Sequence, residues 1–254
     1  MLRDDLKNKA YFDDQVNFWK KAIQKREQKL LHPEAFPSSV FMKTSFRLVE
    51  DTLTLMHQRY GRGDDLAELK AQLEAALHYR YQQKEFADAL PPNEQKDRIG
   101  WEELHQSDLK RSLAWFAFAY CLNMGQAYYQ QVLDLIANQG RDALFDQIAV
   151  QLGDVDREVS DTLLFKRRFN RLYKVIQAAP HQRPKLMLAY LDAWYKLEGS
   201  PQLHLMDTNT YKGYWCWEAA LVTKLYQIDD HLYQDHPYYP KDLVHWSERE
   251  CEVL

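Results

Sequence analysis

The chain has 254 residues, 46% of them hydrophobic and 13% aromatic, and its 33 basic and 37 acidic side chains leave a formal charge of −4. That composition argues against disorder, and a single unit of this length buries roughly three quarters of its unfolded surface. With only 8 Gly and 9 Pro, a loop-rich β fold is disfavoured too, and the length suits one domain or two small ones.

Asp13 to Leu30 reads as a first helix, with Phe12, Val16, Trp19, Ile23 and Leu30 on a broken apolar stripe that Pro33 and Pro37 interrupt. Ser38 or Ser39 is placed to cap a second helix carrying Val40, Phe41, Leu48, Leu55 and Met56, which ends at Gly61-Arg62-Gly63. Asp64 is the expected cap of a third, with Leu66, Leu69, Leu73, Ala76 and Leu77 on one face. Pro91-Pro92 closes an N-terminal helical region, 1–92, and 93–100 is the expected linker to a C-terminal helical region, 101–254, that opens at Trp101. There Ser107 is the expected cap of an apolar helix reaching Leu122, and helical patterns follow over 128–138, 142–152, 160–179, 186–197 and 207–226. No run of six or more residues alternates between turn residues. The expected fold is therefore all-α, a compact bundle-like array of about eight to ten helices in two parts, with no central sheet.

The longest apolar run, Leu113 to Leu122, has ten residues, about half the ~20 needed to span a bilayer. It predicts a buried helix and no membrane partner. The charged opening Met1-Leu2-Arg3-Asp4-Asp5 does not resemble a signal peptide. Cys121, Cys216 and Cys251 are odd in number and widely spaced, so a reducing, cytoplasmic setting without disulfides is expected.

Charge is segregated. Asp142 to Asp161 holds six acidic residues and one basic; Thr162 to Lys185 holds seven basic and none acidic; Leu186 to Leu254 holds eleven acidic and five basic, a net of −6. Such blocks neutralise one another when helices pack, or steer a basic partner. The basic helix carrying Lys166, Arg167, Arg168, Arg171 and Lys174 beside Phe165, Phe169, Leu172 and Ile176 invites a nucleic-acid reading. Its acidic flanks oppose that, and no direct nucleic-acid binding is expected.

The familiar catalytic patterns are missing: no Gly-rich phosphate loop, no His-Glu-x-x-His, no zinc-spaced cysteines and no Gly-x-Ser-x-Gly elbow. Gly61-Arg62-Gly63 is a turn, and Glu102, Glu103, His105 and Asp108 spread over different faces. His231, His236 and His245 lie among Asp229, Asp230, Asp235 and Asp242, but their spacing fits no compact metal motif, so neither metal nor cofactor is expected. Glu218 stands apart. One helical turn away lie Tyr214, Trp215, Leu221 and Val222, which predicts a buried carboxylate needing donors. Arg168, close to the apolar face of its own helix, is a candidate donor for a buried carboxylate, and the sequence does not say which one. Two readings follow: a structural tie, or a catalytic acid with a raised pKa. The first is favoured, because no nucleophile, metal site or second placed acid accompanies it. A helical adaptor for an unrelated partner is a third.

The last third of the chain carries the most specific signal: Tyr211-Lys-Gly-Tyr-Trp-Cys-Trp-Glu-Ala-Ala220, then Ile228-Asp-Asp230, then Tyr238-Tyr-Pro-Lys-Asp-Leu243, with Tyr190 and Trp194 on the preceding helix. In these residues the chain resembles the PoNi-type immunity proteins, which bacteria pair with PoNe-type DNase toxins. The resemblance extends over nearly the whole chain, with an N-terminal part like 1–90 and a C-terminal part like 100–245. It implies a non-enzymatic, helical, cytoplasmic protein that neutralises a cognate toxin resembling PD-(D/E)xK nucleases, and it leaves homo-oligomerisation open. The shared positions are Tyr214, Trp215, Glu218, Asp229, Tyr238, Tyr239, Pro240 and Asp242; Tyr190, Trp194, Tyr211 and Gly213 fit the pattern as structural residues. Asp229, Asp230, Asp235, Tyr238, Tyr239 and Asp242 are the candidate toxin-contacting residues, since an acidic, tyrosine-rich surface suits a DNA-cutting partner.

Overall fold

The computed structural model describes residues 1–247, and all regular structure among them is helical, without strands. Nine helices have nine residues or more, and two have a single turn. The chain divides into two units: residues 1–103 with 203–213, and 104–202 with the chain from Tyr214 onward.

In the first unit α1 (Lys9–Leu30), α2 (Ser38–Arg62) and α3 (Lys70–Asp88) pack together, and a single-turn α4 (Ile99–Glu102) follows. α1 begins earlier than its apolar stripe, because the Asn8 side chain accepts the Tyr11 N–H at 2.9 Å and caps it. α2 is the core helix, buried around most of its circumference by Phe41, Met42, Leu48, Leu53, Met56 and Tyr60. It ends at Gly63, whose φ of +86° and proximity to the Met1 carbonyl leave no room for a β-carbon. Asp64 does not cap the third helix. Its carboxylate instead accepts Arg59 Nε and Arg62 Nε, both at 2.6 Å, and Asp65 accepts the Ala67 N–H at 3.0 Å.

The segment expected as a linker, 93–100, forms a 3-10 turn (Gln95–Arg98) that runs into α4. Trp101 lies edge-on to Phe46 at 4.8 Å, against the cluster of Met42, Ala87 and Leu90. Partial burial of so large a ring draws the first unit past residue 100. Residues 203–213, read in sequence as part of the second region, also belong here. Tyr211 is fully buried; its hydroxyl donates to Asp4 at 2.6 Å, and its carbonyl accepts Tyr11 Oη and Gln58 Nε2, each at 2.8 Å.

The second unit contains α5 (Gln106–Cys121), α6 (Gln126–Ile136), α7 (Ala143–Gln151), α8 (Lys166–Gln177), α9 (Arg183–Leu197), α10 (Trp217–Leu225) and α11 (Lys241–Val244). The apolar run becomes the buried α5, packed on α10 with Phe118 4.6 Å from Trp217; no helix among the described residues is long and apolar enough to cross a membrane. Trp115 donates its indole N–H to Tyr128 Oη at 2.9 Å. Cys121 and Cys216 are buried free thiols, and burial pushes Cys121 up to about 12. Cys251 lies outside the described residues, as do Glu248, Arg249, Glu250 and Glu252 of the acidic terminal block.

Two expected helices are shortened. The pattern over 160–179 yields helix only from Lys166, and that over 207–226 only from Trp217. In the second case Gly213 takes a φ of +87°, and the Cys216 N–H donates to the Tyr238 carbonyl at 2.8 Å instead of joining a helix. In the first, a buried polar network holds the preceding chain open. Asp142 Oδ1 accepts the Leu144 and Phe145 N–H groups, capping α7, while its Oδ2 accepts the Leu164 N–H at 2.8 Å. Asp146 accepts Arg157 Nε at 2.7 Å and the Ser160 N–H at 3.1 Å, and Arg157 Nη2 reaches the Ala137 carbonyl at 3.0 Å.

Candidate functional site

The motif residues of the second unit converge on Glu218, in the first turn of α10 and 1% exposed. Its Oε1 accepts Tyr190 Oη at 2.8 Å and Trp194 Nε1 at 2.9 Å, both from α9, and Arg168 Nη2 at 3.1 Å from α8. The apolar neighbours in sequence predict this burial, although Tyr214 and Trp215 precede the helix and are not one turn away. Arg168 also pairs with Glu198, which accepts Lys110 Nζ at 2.5 Å. Two cations and two anions thus alternate through α5, α8, α9 and α10.

Burial alone drives the Glu218 carboxyl up, but Arg168 and Lys110 outweigh it and hold the group below the ordinary glutamate value. Burial pushes Lys110 down, against the pull of Glu218. Glu218 is therefore an ionised acceptor, almost closed to solvent, with three donors converging on its Oε1. A general acid needs a raised pKa and access to substrate, so the catalytic reading of Glu218 is overturned by its own surroundings. What the cluster does is mechanical: it locks α8, α9 and α10 together.

From this lock the aromatic tail is hung. Tyr238 lies 5.3 Å from Trp194 and stacks on Tyr195 at 5.4 Å, and Tyr195 meets Tyr214 edge-on at 5.0 Å. Tyr190, Trp194 and Tyr214 are buried, Trp215 is half-buried 6.2 Å from Trp217, and Pro240 is buried. Tyr211, by contrast, serves the first unit.

The candidate contact residues divide. Asp229, Asp235 and Asp242 are exposed, and Tyr238 is half-buried. Tyr239 is 2% exposed: its ring meets Tyr233 edge-on at 5.1 Å and its hydroxyl donates to Asp230 at 2.9 Å. It is a core residue and offers no surface. Asp230 also bonds His245 Nε2 at 2.8 Å, so it holds the tail rather than facing outward. Asp229 pairs with His231 at 2.5 Å, and Asp235 with Lys241 at 2.7 Å. Ligand atoms of Asp229, Asp230 and His231 lie within 4.8 Å of one another, the one grouping among the described residues that could hold a cation. His236 sits instead 3.6 Å from Asp192.

Sequence reasoning missed Glu198 and Lys110, whose partners lie 88 residues apart, and the network of Asp142, Asp146 and Arg157. The only signal was the unusual density of acids around one arginine.

All regular structure among the described residues is helical, and the polar cluster around Glu218 is almost closed to solvent. Two sequence models match the protein: that of the PoNe immunity protein (PoNi) N-terminal region over residues 3–137, and that of the C-terminal region of PoNe immunity proteins (PoNi) over 140–243. The chain belongs to this family of immunity proteins, which are non-catalytic toxin inhibitors of interbacterial competition. No curated protein sequence matches it. In fold it is similar to the crystal structure of protein PA2201 from Pseudomonas aeruginosa, with a TM-score of 0.77 at 19% identity, covering 98% of this chain and 92% of that one.

Proposed function

We propose that this chain neutralises its cognate PoNe-type toxin, a DNase resembling PD-(D/E)xK nucleases, by direct contact in the bacterial cytoplasm. The observation that carries this reading is the match of both family regions, which together take in nearly the whole chain. The exposed tail supports it. Asp229, Asp235 and Asp242 are exposed on the same terminal segment as the half-buried Tyr238, whose ring packs on Trp194 and Tyr195. A DNA-cutting enzyme presents basic groups to phosphates, and an acidic surface meets those groups, speeds association and competes with DNA. Co-purification with the nuclease domain encoded in the adjoining reading frame, followed by a nuclease assay, tests the reading. The expected result is a stable complex without DNA cleavage; two folded proteins that fail to associate would end it. Replacing Asp229, Asp235 and Asp242 with Asn should slow association and flatten its dependence on salt, and leaves untouched the structural Asp230. An unchanged rate at low ionic strength would place the contact away from the tail.

A further inference from the structure

We propose that the connection between α7 and α8 is a preformed docking ridge for a basic, partly apolar face of the toxin. This rests on the toxin-binding reading above and adds a place on the chain. The connection, residues 152–165, contains no helix. Loops of that length are commonly either functional or disordered, and this one is fastened throughout. Asp142 holds Leu164, Asp146 holds Arg157 and Ser160, and the Arg157 side chain is completely buried. The backbone closes two more links, from Gly140 N to Glu158 O at 3.1 Å and from Ala143 N to Thr162 O at 2.8 Å.

The outer side of this fastened loop is what a partner meets. Val155 is 76% exposed, Val159 43% and Leu164 39%. Aliphatic side chains on a rigid loop lose little freedom on binding and gain by leaving water. Between them stand the exposed Asp156, Glu158 and Asp161, none with an ion-pair partner among the described residues. That separates them from Asp229 and Asp235 of the tail, which bond His231 and Lys241. Exposed aliphatic residues interspersed along the loop with unpaired acids fit a positively charged protein face that also offers apolar contact, and a nuclease surface supplies the charge. The exposed Lys166 and Arg167 bound the ridge where α8 begins.

Two variants test it, and neither touches Asp142, Asp146 or Arg157: Asp156→Asn with Glu158→Gln and Asp161→Asn, and Val155→Arg with Val159→Arg. Binding kinetics would be measured against the nuclease domain from the adjoining reading frame over a range of salt, with thermal melts alongside. The amide variant should associate about tenfold more slowly with a flatter salt slope, and the arginine variant should dissociate about tenfold faster or more, with melts unchanged. If the arginine variant unfolds, the amide variant alone decides. Wild-type binding that both variants match would overturn the ridge and leave the toxin-binding reading standing. A wild-type protein that does not bind the domain would overturn both.

Discussion

Glu218 keeps its charge in the interior because three donors and a second cation converge on it, and that makes it a stability residue with a measurable pH signature. Replacing it with Ala would leave Arg168 buried beside only Glu198, and should cost about 3–5 kcal/mol in chemical denaturation. Its folded carboxyl lies below the ordinary value of 4.5. Its stabilisation is therefore complete above that value and is lost as pH falls through the depressed one; Glu218→Gln should remove this part of the acid unfolding limb. Asp51 has the opposite sign. Burial raises it from 3.8 to about 6, against the pull of Arg26 at 2.9 Å. Between those values the folded state keeps a proton that the unfolded state releases, so stability falls as pH rises. Asp51→Asn should flatten that fall and stabilise the protein at neutral pH by about 1–3 kcal/mol, read from melts between pH 3.5 and pH 7. The burial of Glu218 was legible from Leu221 and Val222. Its donors were not, since Arg168, Tyr190 and Trp194 come from two other helices.

Helix interiors follow the apolar spacing closely, and their ends follow caps and competing bonds. The apolar pattern before α8 runs back to Ser160, yet helix begins only at Lys166, because the Ser160 and Leu164 N–H groups are taken by Asp146 and Asp142. Local spacing cannot register a competitor placed on the previous helix. Asp142→Ala should therefore do more than remove a cap. Three backbone donors would lose their acceptor, at a total cost of about 2–3 kcal/mol, and hydrogen exchange across 153–165 should accelerate more than exchange within α5. Equal acceleration in both would mean that the loop is not fastened through this carboxylate.

For the molecule as a whole, the chain's division is not a cut at one point. The first unit takes back residues 203–213, and with them the Tyr211 side chain that bonds Asp4 and the carbonyl that receives Tyr11 and Gln58. A fragment of residues 1–103 lacks these partners and exposes a space shaped for an aromatic ring. It should melt at lower temperature and less cooperatively than the same fragment joined through a short linker to 203–213; identical melts would show the returning segment to be dispensable.

The sequence by itself determined that the protein is helical, where most helices run, that Glu218 is buried, and to which family the chain belongs, because periodic burial and short motifs are local properties. Tertiary structure alone decided which acids remain available to a partner. Asp230 and Tyr239 turn inward to each other, Asp229 and Asp235 bond His231 and Lys241, and Asp156, Glu158 and Asp161 stay exposed without an ion-pair partner among the described residues. Whether a charge is paired depends on how the chain turns, even between groups two to nine residues apart, and a count of charges along the chain does not contain those distances.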